Sequence, residues 1–326
     1  MATIARWAHR DLRKRAHAIQ ACHRSLLTST LASKDGEEPP LAQEHNATSE
    51  ADREMDNSAA SPSATTDFGF QHVQADQKQN LVRQVFSSVA PSYDVMNDLM
   101  SGGLHRMWKD RLVEMLAPFP GSMHIDVAGG TGDVAFRVLR AMQGAEGLRD
   151  ASESPEDRKG GVTVFDINPE MLEEGKKKAN KATDLATHRL SWVEGSAEEL
   201  PFDDNTFDSY TIAFGIRNVT NRSTALAEAY RVLRPGGRFL CLEFSKVTVP
   251  GLQQIYDEYS FRVIPEVGKL VAGDAESYRY LVESIRMFPG QEEFKEMIEA
   301  AQFQSVGYEN LTAGVVAIHS GIVGRK

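Results

Sequence analysis

Cysteine and long apolar runs are both scarce in this chain. Only Cys22 and Cys241 occur among its 326 residues, which is too few for a disulfide framework. No stretch approaches the roughly 18 consecutive apolar residues of a membrane-spanning helix, so any contact with a membrane is expected to be peripheral. The spacing of Cys, His and acidic residues that binds a metal ion is also missing, as is a Ser-His-Asp order suited to nucleophilic catalysis. We therefore expect no metal site.

Positive charge is in deficit as well. The chain has 36 Lys and Arg against 46 Asp and Glu, which gives a formal net charge of -10. A general nucleic-acid-binding protein carries an excess of basic residues to neutralise phosphates, so we expect no nucleic-acid partner. The hydrophobic content of 41% indicates a packed soluble core.

Two N-terminal segments have opposite charge. Residues 1–34 contain seven Lys or Arg and one acid, Asp11, a composition typical of a mitochondrial or plastid transit peptide. The alternative is a disordered basic arm that binds an acidic partner. Residues 35–67 contain nine acids and one basic residue, Arg53. Because they offer little apolar surface to bury, we predict a disordered acidic linker there.

The remaining residues, 68–326, alternate predicted strands with predicted helices, which is the pattern of an α/β fold with a mostly parallel sheet. The predicted strands are 123–127, 162–165, 190–193, 209–214, 239–244, 306–308 and 315–319. We therefore predict a doubly wound, Rossmann-like, seven-stranded sheet. Helical segments at 81–116 and 252–288 exceed this minimal fold and are candidates for a lid, and a polar segment at about 143–161 is expected to be a surface insertion.

The sequence HIDVAGGTGDVAF at 124–136 places a glycine-rich turn directly after the first of these strands. Gly130 and Gly132 permit positive φ and a close approach of backbone to a ligand, as in dinucleotide sites. The alternative is a tight turn without a ligand. Two acids flank the glycines, Asp126 on the strand and Asp133 at the start of the helix. Because carboxylates repel a pyrophosphate, these acids favour a ligand with an ammonium group and a positively charged sulfur.

Two further positions extend this cofactor signal. Asp166 ends the next strand in VFDIN, where an acid can bind both hydroxyls of a ribose. The alternative is a helix-capping acid, although Asn168 is the better cap. Ser196 and Ala197 follow the third strand, where a purine ring can lie. Together these positions predict S-adenosylmethionine as the cofactor.

Longer motifs carry a more specific signal. DVAGGTGDVAF, DINPEML, AFGIRNVTN, RVLRPGGRFLCLEFSK and SYRYLVESIRMFPGQEEF together resemble the ubiquinone/menaquinone biosynthesis C-methyltransferases, over about residues 68–326. The resemblance implies the fold of a class I S-adenosylmethionine-dependent methyltransferase. It also implies contacts of Thr131, Asp166, Ser196 and Ala197 with that cofactor. The family commonly has Asp or Asn where this chain has Ser196, so whether the shorter side chain bonds the adenine stays open.

The same resemblance implies an acceptor and a location. The acceptor is a polyprenylated methoxy-benzoquinol, methylated at a ring carbon in ubiquinone biosynthesis. The implied location is the mitochondrion, peripherally on the matrix side of the inner membrane and within a multi-subunit coenzyme Q biosynthetic complex. None of these follows from the composition, and the tail length and a homodimer stay open.

Methylation of a quinol carbon needs a group that removes or stabilises the charge of a ring hydroxyl. In AFGIRN, after the fourth strand, Arg217 can stabilise a phenolate and Asn218 can orient a hydroxyl. The alternative for Arg217 is an ordinary surface ion pair. Tyr93 and His105 are candidate bases delivered by a lid, and the alternative for both is packing.

Two rival functions stay open at this point. A nicotinamide-dependent oxidoreductase shares the same glycine-rich first turn, although the paired acids disfavour it. A scaffold subunit of a coenzyme Q biosynthetic complex would keep the fold without the chemistry. A comparison of NADH binding with S-adenosylhomocysteine binding tests the oxidoreductase function. Rescue of coenzyme Q levels by a catalytically inactive variant would support the scaffold function.

Overall fold

The computed structural model describes residues 65–90, 93, 97–98, 101–146, 160–251, 253, 258, 262 and 275–324. The expected transit peptide, residues 35–64 of the expected linker and most of the polar insertion lie outside these residues, as does much of the helical segment expected at 252–288. Among the helices that are described, none has the length and apolar character needed to cross a membrane.

The described residues form two sheets and seven α-helices. The strands are β1 (Thr65–Phe68), β2 (Gln71–Gln74), β3 (Met123–Val127), β4 (Gly161–Asp166), β5 (Leu190–Glu194), β6 (Phe207–Ala213), β7 (Leu233–Phe244), β8 (Gln304–Leu311) and β9 (Val316–Ile322). The helices are α1 (Ala75–Val89), α2 (Leu104–Leu116), α3 (Asp133–Glu146), α4 (Pro169–Lys181), α5 (Arg222–Val232), α6 (Ala275–Met287) and α7 (Gln291–Ala300).

The large sheet has seven strands in the order β5-β4-β3-β6-β7-β9-β8. Strands β3 to β7 pair in parallel, and β9 runs antiparallel to both β7 and β8. The predicted seven-stranded, mostly parallel sheet is therefore confirmed. The strand order reverses direction at β3, so the carboxyl ends of β3, β4 and β6 border the crevice in which such sheets bind ligands.

The sheet is covered on both faces because neighbouring residues of a strand point to opposite sides. Phe239 and Cys241 of β7 pack with side chains of α5 and α7, whereas Leu240 and Leu242 pack with side chains of α2 and α3. All four are fully buried. This alternation explains why the strand reads as a continuous apolar run in the sequence.

Local signals start α4 where the sequence predicts it, whereas α1 begins at Ala75, before the segment predicted from residue 81. Asn168 caps α4, and its side-chain oxygen accepts a hydrogen bond from the Met171 backbone amide at 3.0 Å. Pro169 occupies the first turn, where its missing N–H is not needed. Between α1 and α2, Gly102 and Gly103 have φ of 59° and 80°, which is the break expected in the helical segment 81–116.

A small hairpin of β1 and β2 precedes α1 and was not predicted. Thr65 to Asp67, assigned above to the linker, belong to its first strand. Asp67 forms ion pairs with Arg222 at 3.2 Å and with Lys78 at 3.6 Å. The Phe68 ring stacks on Tyr280 of α6 with centroids 4.2 Å apart. Contacts distant in the chain therefore hold the hairpin.

Helix α1 lies against the carboxyl ends of β4 and β5. Arg83 donates to the Glu194 carboxylate at 2.7 Å. The Asn168 side-chain amide donates to the Arg83 carbonyl at 3.2 Å and to Ser87 Oγ at 3.0 Å. These contacts place one face of α1 over the edge of the sheet at which ligands bind.

Candidate active site

The turn after β3 requires its glycines for two different reasons. Gly130 and Gly132 have φ of 53° and 80°, a region that residues with a Cβ rarely adopt. A Cβ on Gly132 would also lie 2.9 Å from the Trp192 ring, and one on Gly129 would lie 2.8 Å from the Asp126 carbonyl oxygen. The turn is thus tightly packed, and a Cβ on Gly130 would itself lie 2.9 Å from the Met171 methyl carbon.

Asp166 joins this turn to the turn after β4. One carboxylate oxygen accepts from the Gly130 amide at 2.8 Å, and the other accepts from the Asn168 amide at 2.8 Å. Burial raises the pKa of Asp166 to about 6, against the effect of these backbone donors. The helix α4 is capped by Asn168, so the alternative of Asp166 as the capping acid is wrong.

A cleft lies above these turns and encloses about 760 Å³, including space open to solvent. Four of the predicted cofactor residues line it: Gly130, Asp166, Ser196 and Ala197. Its remaining walls come from the ends of strands and from α1, among them Gln79, Val82, Phe86, Tyr93, Phe165, Met171, Phe214 and Asn218. The cleft therefore combines a carboxylate and backbone amides with a mainly apolar lining.

Ser196 has an unexpected neighbour. Its hydroxyl accepts from the Gln79 side-chain amide at 3.2 Å and from the Glu198 backbone amide at 3.2 Å. Gln79 belongs to α1, more than a hundred residues earlier in the chain. Sequence reasoning missed Gln79 because no local pattern marks it.

The other three predicted cofactor residues do not line the cleft. Thr131 accepts a hydrogen bond from Lys178 of α4 at 2.9 Å, and Gly132 faces Trp192. Asp126 is buried beneath the turn, where one oxygen accepts from Thr211 at 2.7 Å and the other has no hydrogen-bond partner among the described residues. Burial raises the pKa of Asp126 to about 7.

Asp133 also has its own partner. Lys109 donates to it at 2.8 Å. Burial alone would raise the pKa of Asp133, but the nearby cations outweigh burial and lower it. The acids at 126 and 133 are therefore accommodated within the protein, and the repulsion argued from the sequence does not act at the cleft wall. Among the residues described, no group of three His, Cys, Asp or Glu is arranged to hold a metal ion.

A second pocket of about 380 Å³ adjoins the cleft. It is lined by Phe86, Tyr93, Asn97, Ser101, His105, Phe214, Arg217, Phe244 and Leu281. Phe86, Tyr93 and Phe214 line both cavities. Three of the predicted reaction-side residues, Tyr93, His105 and Arg217, thus meet in one place, whereas Asn218 lines the cleft. The side-chain oxygen of Asn218 accepts from the Tyr280 hydroxyl at 3.0 Å.

Arg217 is buried, not a surface residue. Its Nη1 donates to the two carboxylate oxygens of Glu243 at 3.0 and 3.2 Å and to the Phe214 carbonyl, and its Nε donates to Ser284 at 3.3 Å. The side chains of Arg217 and Glu243 are 3% and 1% exposed, which rules out an ordinary surface ion pair. Its guanidinium carbon lies 5.8 Å from the centre of the Phe244 ring.

Glu243 was missed at the sequence level, although a signal exists for it. An acid in the apolar strand RFLCLEF must have a partner if the strand is buried. Burial raises the pKa of Glu243, and Arg217 opposes that rise. The pair places a fixed cation at the wall of the second pocket, where an anion on a ligand would be stabilised.

Comparison with known proteins shows the family of the chain. The ubiE/COQ5 methyltransferase family matches residues 72–323. The chain is 59% identical over 268 residues to a rice protein described as mitochondrial 2-methoxy-6-polyprenyl-1,4-benzoquinol methylase, covering 80% of this chain and 89% of the rice protein. It is 55% identical to the human protein of the same description, covering 79% and 84%.

A bacterial relative and a solved structure extend the comparison. The chain is 53% identical to a ubiquinone/menaquinone biosynthesis C-methyltransferase of Brucella abortus, covering 82% of this chain and 94% of that one. The crystal structure of the [4+2]-cyclase SpnF superposes with a TM-score of 0.51 at 17% identity, covering 76% and 97%. That last likeness is one of fold alone.

Proposed function

The chain belongs to the ubiE/COQ5 methyltransferase family, and we propose that it transfers a methyl group from S-adenosylmethionine to a ring carbon of a polyprenylated methoxy-benzoquinol in ubiquinone biosynthesis. The observation that carries this proposal is the pair of adjoining cavities, which share Phe86, Tyr93 and Phe214. One cavity has the carboxylate and backbone groups of a nucleoside site, and the other has aromatic walls with one cation. A donor and an aromatic acceptor can thus be held side by side with water excluded.

The residues of the cleft fit S-adenosylmethionine, which supplies an electrophilic methyl group on a positively charged sulfur when it is bound. Asp166 accepts one backbone hydrogen bond on each oxygen, and each oxygen has a further lone pair for a ribose hydroxyl. Ser196 and Ala197 form the wall for the adenine, and the Gln79 side-chain amide donates to the Ser196 hydroxyl. The Gly130 turn admits the amino-acid end.

The second pocket fits an aromatic ring that gains negative charge. Phe86, Phe214 and Phe244 give it apolar walls that favour ring stacking. Arg217 is held by Glu243 and stabilises a phenolate oxygen. We expect Asn218, which lines the cleft, to orient a ring hydroxyl, and Tyr93 lines both cavities.

Location and assembly are part of the same proposal. The plant and animal relatives are described as mitochondrial proteins, and residues 1–34 have the composition of a transit peptide. We therefore propose a mitochondrial protein that lies peripherally on the matrix side of the inner membrane, within a multi-subunit coenzyme Q biosynthetic complex. Sedimentation of the purified protein would establish whether it is a homodimer.

Calorimetry with S-adenosylhomocysteine tests the cofactor site. Asp166→Ala should weaken binding by at least about tenfold, because hydrogen bonds to a charged group contribute about 1.5–3 kcal/mol. Asp184→Ala, at an exposed ion pair with Arg140, is the matched control and should bind as the unchanged protein does. Equal affinity in the Asp166 and Asp184 variants would overturn the ribose assignment. Binding of NADH in preference to S-adenosylhomocysteine would favour the oxidoreductase instead.

A methyl-transfer assay with a short-tailed benzoquinol tests the reaction itself. The unchanged protein should incorporate one methyl group at a ring carbon, detected by mass and by the loss of one ring-proton signal. Cofactor binding without any transfer would support the scaffold function.

A further inference from the structure

Among the residues that line the second pocket, His105 has a buried polar side chain that packing alone does not explain. It lies in the first turn of α2, and its side chain is 7% exposed. Its Nδ1 is buried without a hydrogen-bond partner, and it is the one such side-chain atom among the described residues that line this pocket. A buried polar atom without a partner is unfavourable, so this nitrogen requires an explanation.

The opposite ring nitrogen is fixed by a carboxylate. Nε2 of His105 lies 2.9 Å from an oxygen of Asp98. Arg106 donates to the same carboxylate at 3.0 and 2.7 Å, and these hydrogen bonds hold the pKa of Asp98 at about 2. An ionised carboxylate can only accept, so Nε2 carries the hydrogen and donates it.

Burial keeps the His105 ring neutral. Burial lowers the pKa of His105, and Lys109 acts in the same direction. Asp98 and Asp133 act against this lowering without overcoming it. Arg217 and Tyr93 line the same pocket as His105. A neutral ring with its hydrogen on Nε2 has a lone pair on Nδ1, which explains the unpartnered atom.

We propose that His105 is the general base of the methylation and that Asp98 positions it by holding the tautomer that leaves Nδ1 free. The inference rests on the function proposed above and names a residue role within it. Two other polar groups of the site are unsuited to accept a proton. Arg217 is cationic and engaged with Glu243, and the Asn218 oxygen already accepts from Tyr280.

The proposed step is a single proton transfer. The O–H bond of the ring hydroxyl breaks, an N–H bond forms on Nδ1, and the electron pair stays on the ring oxygen, which makes the ring carbon more nucleophilic. The imidazolium is stabilised by Asp98, and the ring oxygen by Arg217. When the ring carbon takes the methyl group, a C–C bond would form and the bond between that methyl and the donor sulfur would break, with its electron pair left on the sulfur. The alkylated carbon then loses its hydrogen to water as a proton, and the imidazolium returns its proton to the ring oxygen. One proton per turnover is thus released to water.

Nitrogen NMR of the full-length protein tests the tautomer without any turnover. In protein labelled at its histidines, His105 should show a protonated Nε2 and an unprotonated Nδ1 at neutral pH. In Asp98→Asn the side-chain amide can donate, so the hydrogen should move to Nδ1. A ring that carries its hydrogen on Nδ1 in the unchanged protein would overturn the proposal.

Kinetics of variants test the base. His105→Gln keeps a polar group beside Asp98 but removes the base, and turnover should fall by about 10²–10⁴ with S-adenosylhomocysteine affinity unchanged. Asp98→Asn should lower kcat at least about tenfold, because a His105 ring with its hydrogen on Nδ1 cannot accept a proton there. His188→Gln, the same change at an exposed histidine, is the control and should retain activity.

The pH profile separates a catalytic from a structural effect. In the unchanged protein kcat should fall as the pH drops through the pKa of His105, which lies below the ordinary value of 6.5. That acidic limb should be absent in His105→Gln. Normal turnover of His105→Gln with the limb retained would exclude the base while leaving the methyltransferase intact. Absence of methyl transfer in the unchanged protein would instead reject the proposed function.

Discussion

The buried pair of Arg217 and Glu243 allows the structural and the chemical roles of Arg217 to be separated. Replacing Arg217 by Met removes the cation but keeps most of the volume, and it leaves the Glu243 carboxylate buried without its partner. Such a loss costs about 3–5 kcal/mol, which is a large part of the roughly 5–15 kcal/mol that stabilises a domain. At about 2–4 °C per kcal/mol for a domain of this size, the expected fall in Tm is roughly 6–20 °C.

The loss should depend on pH in a definite direction. Burial raises the pKa of Glu243 above its ordinary value of 4.5, and the Arg217 cation is the largest influence that opposes this rise. Without Arg217 the folded-state pKa rises further, and the folded protein then binds a proton that the unfolded chain releases. The destabilisation of Arg217→Met is therefore smallest below pH 4.5 and grows as the pH rises through the folded-state value.

A second substitution restores stability without restoring the cation. In Arg217→Met with Glu243→Leu, no charge is left buried, and most of the lost stability should return because an apolar pair can replace a buried ion pair. Urea unfolding and methyl transfer are measured on the single and double variants. If Arg217 stabilises the phenolate, turnover stays low in the stable double variant. If turnover recovers together with stability in the double variant, the catalytic role of Arg217 is refuted. If Arg217→Met loses less than about 1 kcal/mol of stability, independently of pH, the buried ion pair is refuted.

Two further predictions concern the turn after β3. A Cβ on Gly175 of α4 would overlap the Trp192 ring, so Gly175→Ala should destabilise the protein by about 1–3 kcal/mol. Gly144→Ala in α3, where nothing lies within 4 Å, should stabilise it by up to about 1 kcal/mol. Equal Tm values for the two variants would contradict the packing. Burial raises the pKa of Asp126 from 3.8 to about 7, so it weakens the fold increasingly as the pH rises through that interval. Asp126→Asn keeps an acceptor for Thr211 but has no carboxyl group to titrate. As the pH rises through that interval, its Tm in thermal unfolding should therefore fall less than the Tm of the unchanged protein.

The large sheet was predictable because its strands are short, apolar and separated by clear turn and cap signals. The predicted strand at 123–127 coincides with β3, and Asn168 marks the start of α4 as expected. The hairpin of β1 and β2 was not predictable. Its residues are polar and half-exposed, and it is held by Arg222 and Tyr280, which no local pattern connects to it.

The candidate site also contains residues that could be predicted from the sequence and residues that could not. Asp166 was identifiable because its position at the end of a strand determines where its carboxylate lies. The interpretation of Asp126 as a cleft residue depended on the orientation and partners of its side chain, and the bond from Thr211 is set by the pairing of β3 with β6. The second pocket was beyond prediction for the same reason, since Phe86 and Phe244 come from elements far apart in the chain.

Helix α1 contributes Gln79 and Arg83 to the cleft and Phe86 to both cavities. A ligand in either cavity that changes the position of α1 therefore changes the free energy of binding in the other. By thermodynamic linkage this effect is reciprocal: a cofactor that strengthens acceptor binding is itself bound more tightly by the same factor when the acceptor is present. The product pair would be coupled through the same helix, so the affinity for S-adenosylhomocysteine should differ with and without a benzoquinol.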